Sequence, residues 1–243
     1  MVRKSRKGRE EWKIYNNVFD AHANKTIRDL ISKNYFDELV MPIALGKEAN
    51  VFLASKGEGY VVVKIYRLEN CNFNNMFNYI KGDPRFVGLE NQKRKVVFAW
   101  TQREYRNLMI AREKINVPTP IGFRDNFIIM EYIGEEEPAP QLKNSHPDDI
   151  KKFYDMTLNN IILLLDSGIV HGDLSEFNIL NYKEEPIFID FSQGTTIKDS
   201  TARELLERDL KNVQRFFKKI GLKTDFETDS NKVINHFDSI SIK

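Results

Sequence analysis

The sequence predicts an α+β fold in two lobes, and three observations carry that reading. Short β-branched or apolar runs with turn signals between them fill residues 43 to 66 and return at Phe127 to Tyr132. Longer stretches with apolar residues three or four apart occupy Lys93 to Lys114, Asp148 to Asp166 and Thr201 to Ile220. Between the strand-rich half and the helix-rich half lies an acidic, proline-containing break, Glu135 to Pro140, which marks the lobe boundary.

Composition narrows the class. A chain of 243 residues with 41% hydrophobic and 30% charged residues can bury a full core and is ordinary for a globular protein. The longest apolar runs are about five residues, as at Ile161 to Leu165, against the roughly 20 that a membrane helix needs, so no membrane partner is expected. Cys71 is the single cysteine and cannot form an internal disulfide, and the basic N-terminus is not followed by an apolar stretch, so a cytoplasmic protein is expected. A net charge of +2 gives no global argument for nucleic acid. Five of the first nine residues are Lys or Arg and could touch a phosphate backbone, but such a run is more often a solvated tail.

In chain order, Trp12, Tyr15, Val18 and Phe19, then Ile27, Leu30, Ile31 and Phe36, fit two amphipathic helices between residues 10 and 39, with Asn24 as cap of the second. Ile43 to Phe52 reads as strand, turn and strand around Gly46, Lys47, Ala49 and Val51. Tyr60 to Tyr66 has period two, which puts Val62 and Lys64 on one face and Val61, Val63 and Ile65 on the other. Residues 70–92 show no sustained period and read as a long insertion. The helix that follows carries Val97, Trp100, Glu104, Leu108 and Ala111 along one line. Asp148 and Asp149 suit the positive end of the next helix, and residues 223–243 read as a polar tail.

The chemistry concentrates between Gly168 and Phe191. Asn178 stands immediately before Ile179 and Leu180, which read as the first strand of a hairpin; Glu184 to Pro186 make the turn, and Ile187 to Ile189 return. Antiparallel pairing then brings Asp190 beside Asn178, an oxygen-only pair suited to a hard cation such as magnesium. Asp173 is left to accept a proton.

These residues carry a resemblance. His171-Gly172-Asp173-Leu174 followed by Asn178 resembles the kinase catalytic loop with Gly in the place of Arg, and Asp190-Phe191-Ser192 resembles the metal-binding D-F-G with Ser in the place of Gly. The fuller strings H-G-D-L-S-E-F-N-I-L and I-D-F-S-Q-G are similar to the RIO family of atypical serine/threonine protein kinases, type 1 in particular. That resemblance implies a two-lobed kinase-like fold with a truncated C-lobe: helical residues 1–40, an N-lobe over 41–131, a C-lobe over 132–222, and ATP with Mg2+, or Mn2+, held between the lobes. It implies Asp173 and Asp190 as catalytic residues and Asn178 and Asp190 as metal ligands. ATP would be held by Gly46, Lys47, Ala49, Val51, Lys64, its helix partner Glu104 from the string W-x-x-x-E-x-R-N-L, and the linker backbone at Glu131 and Ile133. It further implies ATPase activity with Asp190 either a metal ligand alone or a phosphate acceptor, a monomer, and work on a precursor of the small ribosomal subunit, protein and rRNA together. An assembly factor switched by nucleotide, with little kinase turnover, and a small-molecule phosphotransferase are the rival readings.

Overall fold

The computed structural model describes Phe19 and residues 21–68, 73–80, 88–89 and 92–241. The described residues form two compact units: one runs up to Tyr105 and includes Pro120–Pro138, the other comprises Arg106–Thr119 and the chain from Ala139 onward. The chain therefore enters the second unit first at Arg106, returns to the first at Pro120 and leaves it again after Pro138, some residues beyond the boundary expected at 131, with Gly134 and Pro138 paired as an isolated bridge inside the first unit.

The first unit is built on a five-stranded antiparallel sheet in the order β1-β2-β3-β5-β4: Glu38–Leu45, Ala49–Lys56, Gly59–Tyr66, Phe127–Glu131 and Pro120–Arg124. Period-two alternation divides β3 between two cores. Val61, Val63 and Ile65 join Phe52, Ala54, Phe127 and Ile129 beneath helix α1, Ala21–Ser32. Val62 and Tyr66 face Ile128, Met130 and the apolar side of α3, Lys93–Ala111, where Val96, Val97 and Trp100 are buried. Both edges of the sheet carry irregular registers, with Pro42 inside β1, which blunts edge pairing.

Three expectations need correction here. Asn24 is not a helix cap: α1 already starts at Ala21, since Ala-His-Ala offers nothing to delay it, and the Asn24 amide donates back to the Phe19 carbonyl. The other expected N-terminal helix, around Trp12 and Tyr15, lies outside the described residues. The insertion is not structureless throughout, because Phe73–Ile80 is a helix, α2, whose Phe73, Met76 and Phe77 pack into the second core. The polar tail is also a helix, Phe226–Ser241.

The second unit places α4, Ile150–Asp166, against α5, Ala202–Lys219, and that last helix, α6. Asp149 caps α4 by accepting from the Lys152 N–H. Tyr154 and Phe217 meet edge to face at 5.1 Å between ring centres, and Phe226 closes on Tyr154 at 5.8 Å. Burial pushes the Tyr154 hydroxyl pKa upward. Two small ladders complete the unit, β6 (Ile169–Val170) with β9 (Thr195–Thr196), and the hairpin of β7 (Ile179–Tyr182) and β8 (Glu185–Phe188). Among the described residues no helix is long and apolar enough to cross a membrane.

Candidate active site

In the first unit the site begins with Lys64. Its backbone pairs with Val51 on one side and Ile128 on the other, so the strand position is fixed from both edges. The side chain is 8% exposed, and its Nζ lies 2.8 Å from Glu104 Oε1. Glu104, on the buried side of α3, uses its second oxygen to accept from the Tyr66 hydroxyl. One carboxylate thus holds an ammonium and a phenol, and the Tyr66 ring also lies 5.1 Å from Nζ. Tyr66 was not singled out by its sequence position, although its place two residues after Lys64 on the same strand face was readable.

The β1–β2 turn is closed by the Gly46 N–H donating to the Ala49 carbonyl at 2.9 Å. Lys47 is exposed on it, Ala49 packs partly on the second core, and Val51 stands opposite Lys64. Glu131 ends β5 with an exposed side chain, and Ile133 follows in the non-regular segment before Gly134.

In the second unit the hairpin reads slightly differently from expectation. The turn is Lys183–Glu184, both with positive φ, and Pro186 belongs to β8, opposite Asn181. A two-residue turn with left-handed backbone at both positions matches strand twist. The register continues beyond the ladder, since the Ile189 N–H donates to the Asn178 carbonyl at 3.0 Å, and Asp190 follows directly. Asn178 Nδ2 donates to the Asp173 carbonyl at 2.8 Å and approaches its Oδ2 at 3.3 Å, so the amide nitrogen is committed and Oδ1 points elsewhere. His171 is buried; its Nδ1 accepts the Asp173 N–H, which leaves Nε2 to donate to the Ile189 carbonyl at 3.0 Å. Asp190 itself has a left-handed backbone, φ 63° and ψ 69°, at the start of the short 3-10 turn Phe191–Gln193.

The comparisons with known proteins fit this constellation. The RIO domain profile matches residues 50–231. The chain belongs to the RIO family. RIO-type serine/threonine-protein kinase Rio1 of Methanocaldococcus jannaschii is 37% identical, over 100% of this chain and 86% of that protein. Rio1 of Thermoplasma acidophilum is 38% identical, over 72% of this chain and 94% of that protein. Human serine/threonine-protein kinase RIO1 is 32% identical over 82% of this chain but only 37% of its own length. These relatives place the chain in the type 1 branch and make it a kinase. A structure of Rio2 kinase from Chaetomium thermophilum in an ADP/Mg2+-phosphoaspartate complex has a TM-score of 0.65 at 21% identity, over 89% of this chain and 70% of that one, which shows the shared fold.

The RIO departures from the common kinase motifs have physical causes. Gly172 has φ +79°, and a Cβ there would lie 2.8 Å from the Gln193 carbonyl oxygen, so an Arg at this position would be excluded twice over. Ser192 has no positive φ, so the D-F-S turn has no need of glycine at its third residue; the left-handed residue is Asp190 instead.

Asp209 of α5 is the functional neighbour that motif reading missed. It is 2% exposed and accepts two backbone N–H groups, Gly172 and Leu174, each at 2.8 Å, thereby gripping the chain on both sides of Asp173. Burial pushes its pKa up to about 7, against the opposing pull of those two N–H donors and the Arg208 charge. Arg208 donates to the Gly172 carbonyl beside it. The signal was present, because Asp209 falls on the stripe of Leu205, Leu206, Leu210 and Val213 that α5 buries.

Proposed function

We propose that this chain is an ATP- and magnesium-dependent serine/threonine protein kinase with slow intrinsic ATPase activity. The observation that carries the reading is the wiring of the catalytic loop: Asn178 commits its amide nitrogen to Asp173 and its main-chain carbonyl to the Ile189 N–H, and its amide oxygen and the Asp190 carboxylate, next along the hairpin, would be the two hard donors. One amide oxygen and one carboxylate suit Mg2+ that is also bound by phosphates, not a closed protein cage. Magnesium there would neutralise phosphate charge. Lys64, fixed by Glu104, would pair with the α- and β-phosphates. Asp173 would take the proton of the acceptor hydroxyl.

Asp190 is also a chemically reasonable acceptor. Its carboxylate oxygen would bond to the γ-phosphorus while the bond to the β–γ bridging oxygen breaks and ADP leaves; water would then hydrolyse the acyl phosphate and restore the carboxylate. The phosphoaspartate of the Rio2 neighbour supports this option by analogy. We extend the proposal to a monomer acting in the cytoplasm on small-subunit precursors of the ribosome, which co-sedimentation with and without ATP turnover would test. The decisive comparison is between two variants. Asp173→Ala is expected to keep magnesium-dependent ATP binding and lose turnover by several orders of magnitude, whereas Asp190→Ala loses both. Equal ATP affinity loss in the two would overturn the roles, and acid-quenched label that resists hydroxylamine would overturn the acyl phosphate.

A further inference from the structure

Asn107 follows Glu104 by three residues in α3 and belongs to the same sequence string, yet nothing in the proposed chemistry uses it. It is 8% exposed. Its Nδ2 donates to two main-chain carbonyls, Phe191 and Gly194, each at 2.9 Å. Those carbonyls are the two ends of the turn that follows Asp190, and the turn closes on itself through the Gly194 N–H to the Phe191 carbonyl at 3.1 Å. Gly194 records how close the approach is, since a Cβ on it would lie 2.8 Å from Asn107 Nδ2.

The turn needs an external clamp. Asp190 is a non-glycine residue in the left-handed region, a conformation that persists only where the surroundings over-determine it. On its N-terminal side Ile189 is tied at both its N–H and its carbonyl, to Asn178 and His171. On its C-terminal side the amide of Asn107 is the side-chain group that spans the turn. Only a primary amide of this reach can offer both of its hydrogens to two carbonyls; a carboxylate of the same size would set acceptor against acceptor.

We propose that Asn107 is a positioning residue that fixes the orientation of Asp190 for magnesium by clamping the turn after it. The inference rests on the reading of Asp190 as a metal ligand.

The test uses the full chain with Asn107→Asp, which keeps size, and Asn107→Ala, with Asp190→Asn as control. Three quantities are measured: cooperative thermal unfolding, binding of a fluorescent ATP analogue in EDTA, and ATP turnover against magnesium concentration. Expected for both Asn107 variants are cooperative unfolding, unchanged binding in EDTA, and a rise of roughly tenfold or more in the magnesium needed for half-maximal turnover, as the loss of two buried hydrogen bonds implies. A merely structural role would lower the unfolding temperature without moving the magnesium requirement, and that result overturns the proposal. Failure of both variants to fold also overturns it, since a clamp on one turn leaves the rest standing. If Asp190→Asn itself leaves the magnesium response unchanged, the metal-ligand reading has failed and the inference with it; a lost response in Asp190→Asn beside a normal one in both Asn107 variants sinks the inference alone.

Discussion

Replacing Asp209 with asparagine gives the sharpest test of how the catalytic loop is held, because the structure fixes both the sign and the size of the effect. The carboxyl is buried with a folded-state pKa of about 7 against an ordinary 3.8. Between those values the unfolded chain is ionised while the folded chain keeps its proton, so the unfolded state binds fewer protons and stability falls as pH rises. The contribution is fully present below pH 3.8, declines through the interval and levels off above about 7. The whole shift is worth roughly 4 kcal/mol, most of which falls between about pH 5 and about pH 8. The amide introduced by Asp209→Asn is neutral throughout, so wild type should lose about 3 kcal/mol relative to the variant across that window. Urea unfolding of both proteins at the two pH values measures it, and the dependence of all other groups cancels in the difference. At about pH 8 the variant should also turn over ATP roughly tenfold more slowly, since one of the two N–H anchors beside Asp173 then faces an amide nitrogen. Parallel stability curves for the two proteins would refute the assignment of a buried carboxyl with a raised pKa to this position.

Other expectations follow from the same geometry. Glu104→Gln removes the carboxylate charge that Lys64 Nζ meets and should weaken ATP binding about tenfold or more, while Tyr66→Phe, which removes the phenol's hydrogen bond to that carboxylate, should cost about 1 kcal/mol of stability in a denaturant titration. Phe237→Ala opens a hole under α6 and should cost about 3 kcal/mol or more in unfolding; a loss below about 0.5 kcal/mol would mean the helix is not part of the folded unit.

The strands and the motif residues were legible because each is written locally. Alternation in Tyr60 to Tyr66 needs no partner to be seen, and Asp173, Asn178 and Asp190 sit in strings dense enough to be distinctive. What escaped was of two kinds. Helix α6 is polar in composition, and in α2 the helical spacing of Phe73, Met76, Phe77 and Ile80 is obscured by the intervening asparagines. In α6 only Val233 and Phe237 are buried, a stripe too narrow to stand out, though Asp225 accepting the Thr228 N–H was a readable cap, and the hydrogen bonds from Thr228 lower its pKa. The second kind is polar residues whose partners are main-chain groups far along the chain. Asp209 and Asn107 read as charged or polar helix positions until Gly172, Leu174, Phe191 and Gly194 are brought to them.

The two-residue turn at Lys183–Glu184 makes the β7–β8 hairpin a gauge. Asn178 and Asp190 are separated by the length of two strands in sequence, yet the ladder reduces that to a single rung, Asn178 to Ile189, with Asp190 next in line. Because side chains alternate faces at every step, losing one residue from a strand while the two-residue turn is kept would turn Asn178 or Asp190 to the wrong side. The interval between the two residues is thus set by the turn as much as by the strands: a residue gained inside a longer hairpin loop leaves the rung in place, whereas a residue lost from one strand alone does not.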